Sequence, residues 1–143
     1  MQETADLGKP NYAERMAEQL LGDLELAIMQ IVWAQQKVTV RDVFDSLAEK
    51  RPLAYTTIMT VMTRLAEKGL LRQHRHGRAY EYEAVYTLEE LATRSAGQAI
   101  RSLLADFGPV AVTEFINQVG QVDPGQLQRL AELAQEAVDN ETI

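Results

Sequence analysis

Three amphipathic runs at helical period, an alternating stretch that turns at Gly77, and a return to helical period together predict a mainly α chain. Three helices followed by a hairpin make a winged helix-turn-helix, and the helices after it have the character of a dimerisation element. The expected organisation is an N-terminal extension over 1–21, a winged-helix domain over 22–85 and a helical dimerisation domain over 86–143.

Each element has its own signal. Asn11 and Glu14 have capping-box spacing, which predicts a short helix from Tyr12 to Leu21. Gly22 interrupts it, and Asp23 is the expected cap of the next run, LELAIMQIVWAQ. There Leu24, Ala27, Ile28, Ile31 and Val32 form one apolar stripe, and Trp33 ends the run as a core anchor. Thr39 and Asp42 cap a third helix over 40–50, with Val40, Val43, Phe44 and Leu47 inward. Arg51-Pro52 is expected to stop it, because the residue before proline avoids helical geometry.

The helix from Tyr55 to Lys68 is the most informative. On a wheel at about 100° per residue, Tyr55, Ile58, Met59, Val61, Met62, Leu65 and Ala66 fill one arc. Thr56, Thr57, Thr60, Thr63, Arg64, Glu67 and Lys68 fill the other. A merely solvated face is usually Glu, Lys and Gln, and threonine is a mediocre helix former. Short hydroxyls with flanking cations suit a face that lies close against another surface. Gly69 supplies the C-terminal stop.

After Gly69 the period becomes alternating. Residues 71–76, a turn at Gly77 and residues 79–84 predict a hairpin with a basic tip. Tyr80 and Tyr82 share one face and are expected in the core. Thr87 and Glu90 then have capping-box spacing for a helix to Phe107, which Gly108-Pro109 breaks. A helix over 110–119 follows, and Asp123-Pro124 is expected to start the last one. Short amphipathic helices make a thin core alone, so a second copy is the simplest cover. The expected dimerisation residues are Leu91, Leu103, Leu104, Phe107, Val112, Phe115, Ile116, Leu127, Leu130 and Leu133.

Composition narrows the function. The chain has no cysteine, which removes thiolate metal sites, disulfides and a cysteine nucleophile. The polar start is unlike a signal peptide, and no apolar stretch approaches the roughly 20 residues a membrane span needs. A cytoplasmic location without membrane association is expected. Ser46, Ser95 and Ser102 have no histidine or acid at catalytic spacing, and neither GxGxxG nor GxxxxGK occurs. Enzymatic activity and a cofactor are not expected.

The net charge of −7 hides a division. Residues 50–80 carry seven cations against one acid, and residues 85–143 carry three against nine. A basic hairpin beside a threonine-rich helix fits duplex DNA. The threonines 56, 57, 60 and 63 can meet base edges, including the thymine methyl. Tyr55 and Arg64 flank them, and Arg41 can add a backbone contact. On the wing, Arg72, His74, Arg75 and Arg78 are placed to meet phosphates or the minor groove. Two other readings stay open from the residues: a protein-interaction module on the same fold, and a metal-responsive sensor using His74 and His76. For the latter no clear third ligand is evident, so no metal is assigned.

The segments LGDLELAIMQIVW and VTVRDVFDSLAEKRPLAYTTIMTVMTRLAEKGLLRQHRHGRAYEYEAV resemble the BlaI/MecI/CopY family of bacterial repressors. The pattern LAYTTIMTVMTRLAEKGL followed by GRAYEY is the specific part, and the likeness runs over about residues 21–143. The resemblance implies a homodimeric winged-helix repressor on an inverted-repeat operator, with a regulatory protease or antirepressor as a further partner class. Two departures bear on release. Glu114-Phe115 stands where β-lactam-responsive members carry the cleaved Asn-Phe pair, and the cysteine motif of copper-responsive members is missing. Residues 1–20 lie beyond the usual family start.

Overall fold

The computed structural model describes residues 11–141, and the expectation for residues 1–10 of the extension lies outside them. Seven helices and a three-stranded sheet follow in the order α1 (Asn11–Leu20), α2 (Asp23–Gln35), β1 (Lys37–Val38), α3 (Val40–Leu47), α4 (Tyr55–Glu67), β2 (Leu71–His76), β3 (Ala79–Ala84), α5 (Leu88–Phe107), α6 (Pro109–Val122) and α7 (Gln126–Glu141). The chain divides into two compact units, Asn11–Arg94 and the residues from Ser95 onward.

The first unit is the winged helix-turn-helix. Its core is Ile28, Met29 and Val32 of α2, Val40, Val43 and Leu47 of α3, and Ile58, Met62 and Leu65 of α4. Leu71, Val38 and Tyr82 close it from the sheet. Tight burial of α4 on one side fixes which side faces outward. Trp33 packs against this cluster, and its indole N–H donates to the Tyr86 carbonyl at 3.0 Å.

Local chemistry explains most boundaries. Thr39 caps α3 reciprocally with Asp42, at 3.1 Å to the Asp42 N–H and 2.9 Å from the Thr39 N–H to its carboxylate. Gly69, at φ 80°, ends α4 in a Schellman arrangement. There Leu70 N–H reaches the Leu65 carbonyl and Gly69 N–H the Ala66 carbonyl. The hairpin turns through a two-residue loop, with His76 opposite Ala79 and Gly77 at φ 65°. Thr87 accepts from the Glu90 N–H at 3.1 Å to start α5.

Several expectations are corrected. The N-cap of α2 is Gly22, whose N–H donates to Glu25 Oε1 at 3.1 Å; Asp23 is already helical. α3 ends at Leu47, before Arg51-Pro52, because its ladder tightens to three-residue bonds at Ala48 and Lys50. α1 starts at Asn11, whose side chain lies outside the described residues. α6 runs to Val122, and α7 starts at Gln126 because Asp123, Pro124 and Gly125 form a turn ahead of it. Tyr80 is 47% exposed, since it lies nearer the hairpin tip than buried Tyr82. Strand β1, unexpected from the sequence, pairs with β3 to give the order β1-β3-β2.

In the second unit α6 packs on α7, yet no residue there is buried among those described. Ile100, Leu103, Leu104 and Phe107 of α5 are exposed, as are Val110, Val112, Phe115 and Ile116 of α6 and Leu127 and Leu133 of α7. Leu130 is half-buried. Leu91 is different: it is buried within the first unit and adds nothing to this apolar surface. Among the described residues no helix is long and apolar enough to cross a membrane.

Candidate nucleic-acid interface

α4 is seated by Ile58, Met62 and Leu65, each at most 1% exposed, and this presents Thr56, Thr57, Thr60, Thr63 and Arg64 to solvent. Two of the threonines are conformationally fixed. Thr60 Oγ1 donates to the Thr56 carbonyl at 2.8 Å, and Thr63 Oγ1 to the Met59 carbonyl at 2.9 Å. Their hydroxyl protons are thereby spent within the helix. What each offers outward is a methyl group and an oxygen that can only accept.

The start of α4 carries a second set of groups. Its N-cap is Ala54, without a side-chain cap, and there is no acid in the first turn. The Tyr55 and Thr56 N–H groups are therefore open to an external acceptor, whereas that of Thr57 already donates to the Ala54 carbonyl at 3.0 Å. Tyr55, 40% exposed, stands edge-on to Phe44 of α3 with ring centroids 5.7 Å apart. Arg41 lies over the other part of this stack, 5.5 Å from the Phe44 ring centre, and pairs with Asp45 at 3.7 Å. The helical wheel places Tyr55 and Met59 within the apolar arc. Both are exposed, because the buried stripe of Ile58, Met62 and Leu65 is narrower than the arc and these two lie at its edge.

The wing has two unlike faces. Its register places Arg72 opposite Glu83 and His74 opposite Glu81, with Lys37 of β1 opposite Glu83 from the other side. Glu83 Oε1 accepts from Arg72 at 3.3 Å and lies 2.7 Å from His74 Nε2. The His74 contact, then the Arg72 guanidinium, holds the Glu83 carboxyl below the ordinary carboxylate range. The opposite face continues outward from Leu71, Tyr82 and Gln73, whose amide donates to the Tyr82 hydroxyl at 3.0 Å. It ends at the tip in exposed Arg75 paired across from exposed Tyr80. Arg75 Nε donates to the Gly77 carbonyl at 3.4 Å, and Arg78 occupies the turn.

The structure thus separates the seven cations of residues 50–80. Arg51 pairs with Asp23, Lys68 with Glu25 and Arg72 with Glu83. Lys50, Arg64, Arg75 and Arg78 make no ion pair among the described residues. Sequence reasoning missed the three acids that consume the others. For Glu83 a signal existed, since a two-residue Gly77-Arg78 loop dictates that Arg72 faces it. His74 is bonded to Glu83, and the described residues contain no group of three or more potential metal ligands.

The ion pair at Glu25 gives a pH dependence. The bond from Lys68 lowers the carboxyl below its ordinary value of 4.5; partial burial opposes this, and the Gly22 N–H adds to the lowering. A carboxyl lowered on folding contributes stability that is complete above its unfolded value and is lost as pH falls through its folded value. Thermal melts between about pH 3 and 6 are expected to show a shallower acid limb for Glu25→Gln than for the wild type.

Comparison with known proteins agrees with the motif resemblance. A transcriptional regulator, BlaI, of Mycobacterium tuberculosis is 42% identical over 119 residues, which is 79% of this chain and 84% of its own length. A penicillinase repressor of Bacillus licheniformis is 31% identical over 62 residues, 43% of this chain and 48% of its own. The solution structure of the DNA binding domain of the repressor BlaI aligns at 29% identity over 46% of this chain and 80% of that one, with a TM-score of 0.44. The family model for the penicillinase repressor matches residues 21–136, and the chain therefore belongs to the penicillinase repressor family.

Proposed function

We propose that the chain is a homodimeric, sequence-specific DNA-binding transcriptional repressor that acts in the cytoplasm. The carrying observation is α4 itself: one side is sealed in the core and the other offers four threonines beside unpaired Arg64. In this reading α4 enters the major groove, and its threonines meet base edges. The open N–H groups at its start, Tyr55 and Arg41 hold the phosphate backbone. Arg75 and Arg78 at the wing tip contact phosphate or the adjacent minor groove, whereas Arg72 and His74 are shared with Glu83 and contribute less.

The dimer reading rests on the exposed apolar side chains of α5, α6 and α7, among them Phe107 at 59% and Phe115 at 50%. Apolar surface on this scale marks an interaction site, and a two-fold copy matches an inverted-repeat operator. The domain reading follows: residues 22–85 read DNA and 86–143 dimerise. A regulatory protease or antirepressor is the proposed releasing partner. The Glu114-Phe115 pair lies within continuous α6, with Gln118 Nε2 donating to Glu114 at 2.6 Å, so helix opening would have to precede cleavage there.

Two substitutions test the groove reading. Thr60→Ala is expected to weaken the cognate duplex by roughly fivefold and a scrambled duplex hardly at all. Because the Thr60 hydroxyl proton is spent on Thr56, Thr60→Val is expected to retain most of the affinity that alanine loses. Arg75→Ala is expected to weaken both duplexes alike and to reduce the salt slope by about 0.9 per protomer. Gel-shift or anisotropy titrations at several salt concentrations read these effects. Equal loss on both duplexes for Thr60→Ala would argue that it serves only the backbone.

A further inference from the structure

We propose that Asp23 and Glu25 are specificity-determining positioning residues: from the first turn of α2 they hold the two cations that flank α4, which fastens that helix and also withholds both cations from sequence-blind phosphate contact. This rests on the reading of α4 as the helix that meets DNA. Arg51 precedes α4 and its Nη2 lies 2.8 Å from Asp23 Oδ2. Lys68 is the C-cap of α4, and its Nζ lies 2.8 Å from Glu25 Oε2. The Glu25 carboxylate is fixed from both sides, because its other oxygen accepts the Gly22 N–H at 3.1 Å. Its side chain is only 20% exposed.

The helix dipole accounts for acids in the first turn of α2. It does not require them to reach partners that lie far along the chain, 43 residues away in the case of Lys68. The Asp23–Arg51 pair, with the Asp23 side chain 89% exposed, also contributes little to stability. The placement has a clearer consequence for binding. A free cation beside the reading helix strengthens every duplex equally, since phosphates carry no sequence. Neutralising Arg51 and Lys68 within the chain removes that contribution. Fastening both ends of α4 to one rigid turn keeps its threonine face aimed. The first effect lowers the affinity for every duplex alike and reduces the salt dependence; the second raises the ratio of specific to non-specific affinity.

The test uses the full chain and two duplexes of equal length and composition. One is enriched from a random-sequence library by the wild-type chain, and the other is its scrambled version. Glu25→Gln keeps an acceptor for the Gly22 N–H but frees Lys68, and Asp23→Asn frees Arg51. Each is expected to strengthen scrambled-duplex binding. The fall in affinity between about 50 and 200 mM salt is expected to grow about 3.5-fold for each freed cation per protomer. The specific-to-scrambled ratio is expected to fall at least about threefold, because an unfastened α4 loses contacts to bases that only the enriched duplex offers. Lys68→Met breaks the same pair without freeing a cation. It is expected to weaken the enriched duplex and leave the salt slope unchanged.

Should Glu25→Gln fold poorly by its melting curve, Asp23→Asn carries the test, because the Asp23 side chain is 89% exposed. Unchanged slope and ratio in the folded acid variants, with wild-type binding intact, would overturn this assignment and leave the DNA reading standing. Wild-type chain that binds no duplex in a salt-dependent way would overturn the DNA reading and this inference together.

Discussion

Met62→Ala is expected to lower the stability of the winged-helix unit by about 3 kcal/mol. Met62 is fully buried in α4, in the same core cluster as Met29 and Val32 of α2 and Val43 of α3. Removing its side chain loses the transfer free energy and leaves a cavity that fixed neighbours fill only in part. For a unit of this size the melting temperature is expected to drop by roughly 12–24 °C in a calorimetric or circular dichroism scan. The exposed neighbour Met59, at 42%, is the control: Met59→Ala is expected to change stability by less than about 0.5 kcal/mol. Equal effects at the two positions would mean that α4 is not seated as described. The contrast matters for function, because only a well-seated α4 can present its threonines in one orientation.

Phe115→Glu is expected to convert the proposed dimer to a monomer. Phe115 is 50% exposed on α6, and Val112 and Ile116 beside it are exposed as well. A carboxylate there would have to be desolvated without a partner on closing the interface. Sedimentation equilibrium is expected to show the monomer mass at micromolar concentration. Affinity for a two-half-site duplex is expected to fall by at least about 100-fold, because the second half-site is no longer bound at millimolar effective concentration. Binding to a single half-site is expected to be nearly unchanged. A variant that remained dimeric would place the interface elsewhere on the chain.

The sequence made some of this legible and hid the rest for physical reasons. Thr39 with Asp42, Gly69 after α4 and Gly77 in the hairpin are local signals, and each governs the boundary it predicts. Strand β1 has only Lys37 and Val38, too short for any period, and exists because β3 offers it an edge. The hydrophobic arc of α4 gave the direction of the core and not its extent. Hence Tyr55 and Met59 share the arc with Met62 yet remain exposed. The same holds for Tyr80 beside Tyr82 on the wing. The count of basic residues overstated the free positive charge, because pairing depends on tertiary placement. Arg51 and Lys68 meet acids in α2, across distances in sequence that no local pattern spans. The threonine face was visible from the wheel, but the inward bonds of Thr60 and Thr63, which limit them to methyl and acceptor contacts, were not.

The central claim is that α4 of a two-fold dimer reads duplex DNA. Selection of random-sequence duplexes by the full chain, followed by sequencing, tests it most directly. The account predicts enrichment of an inverted repeat whose half-sites are centred about 10 base pairs, or a multiple of this, apart. It also predicts that Thr60→Ala relaxes the preference at positions within each half-site while the spacing stays the same. Retention of duplexes with no shared sequence, or of a single half-site without a two-fold partner, would contradict it.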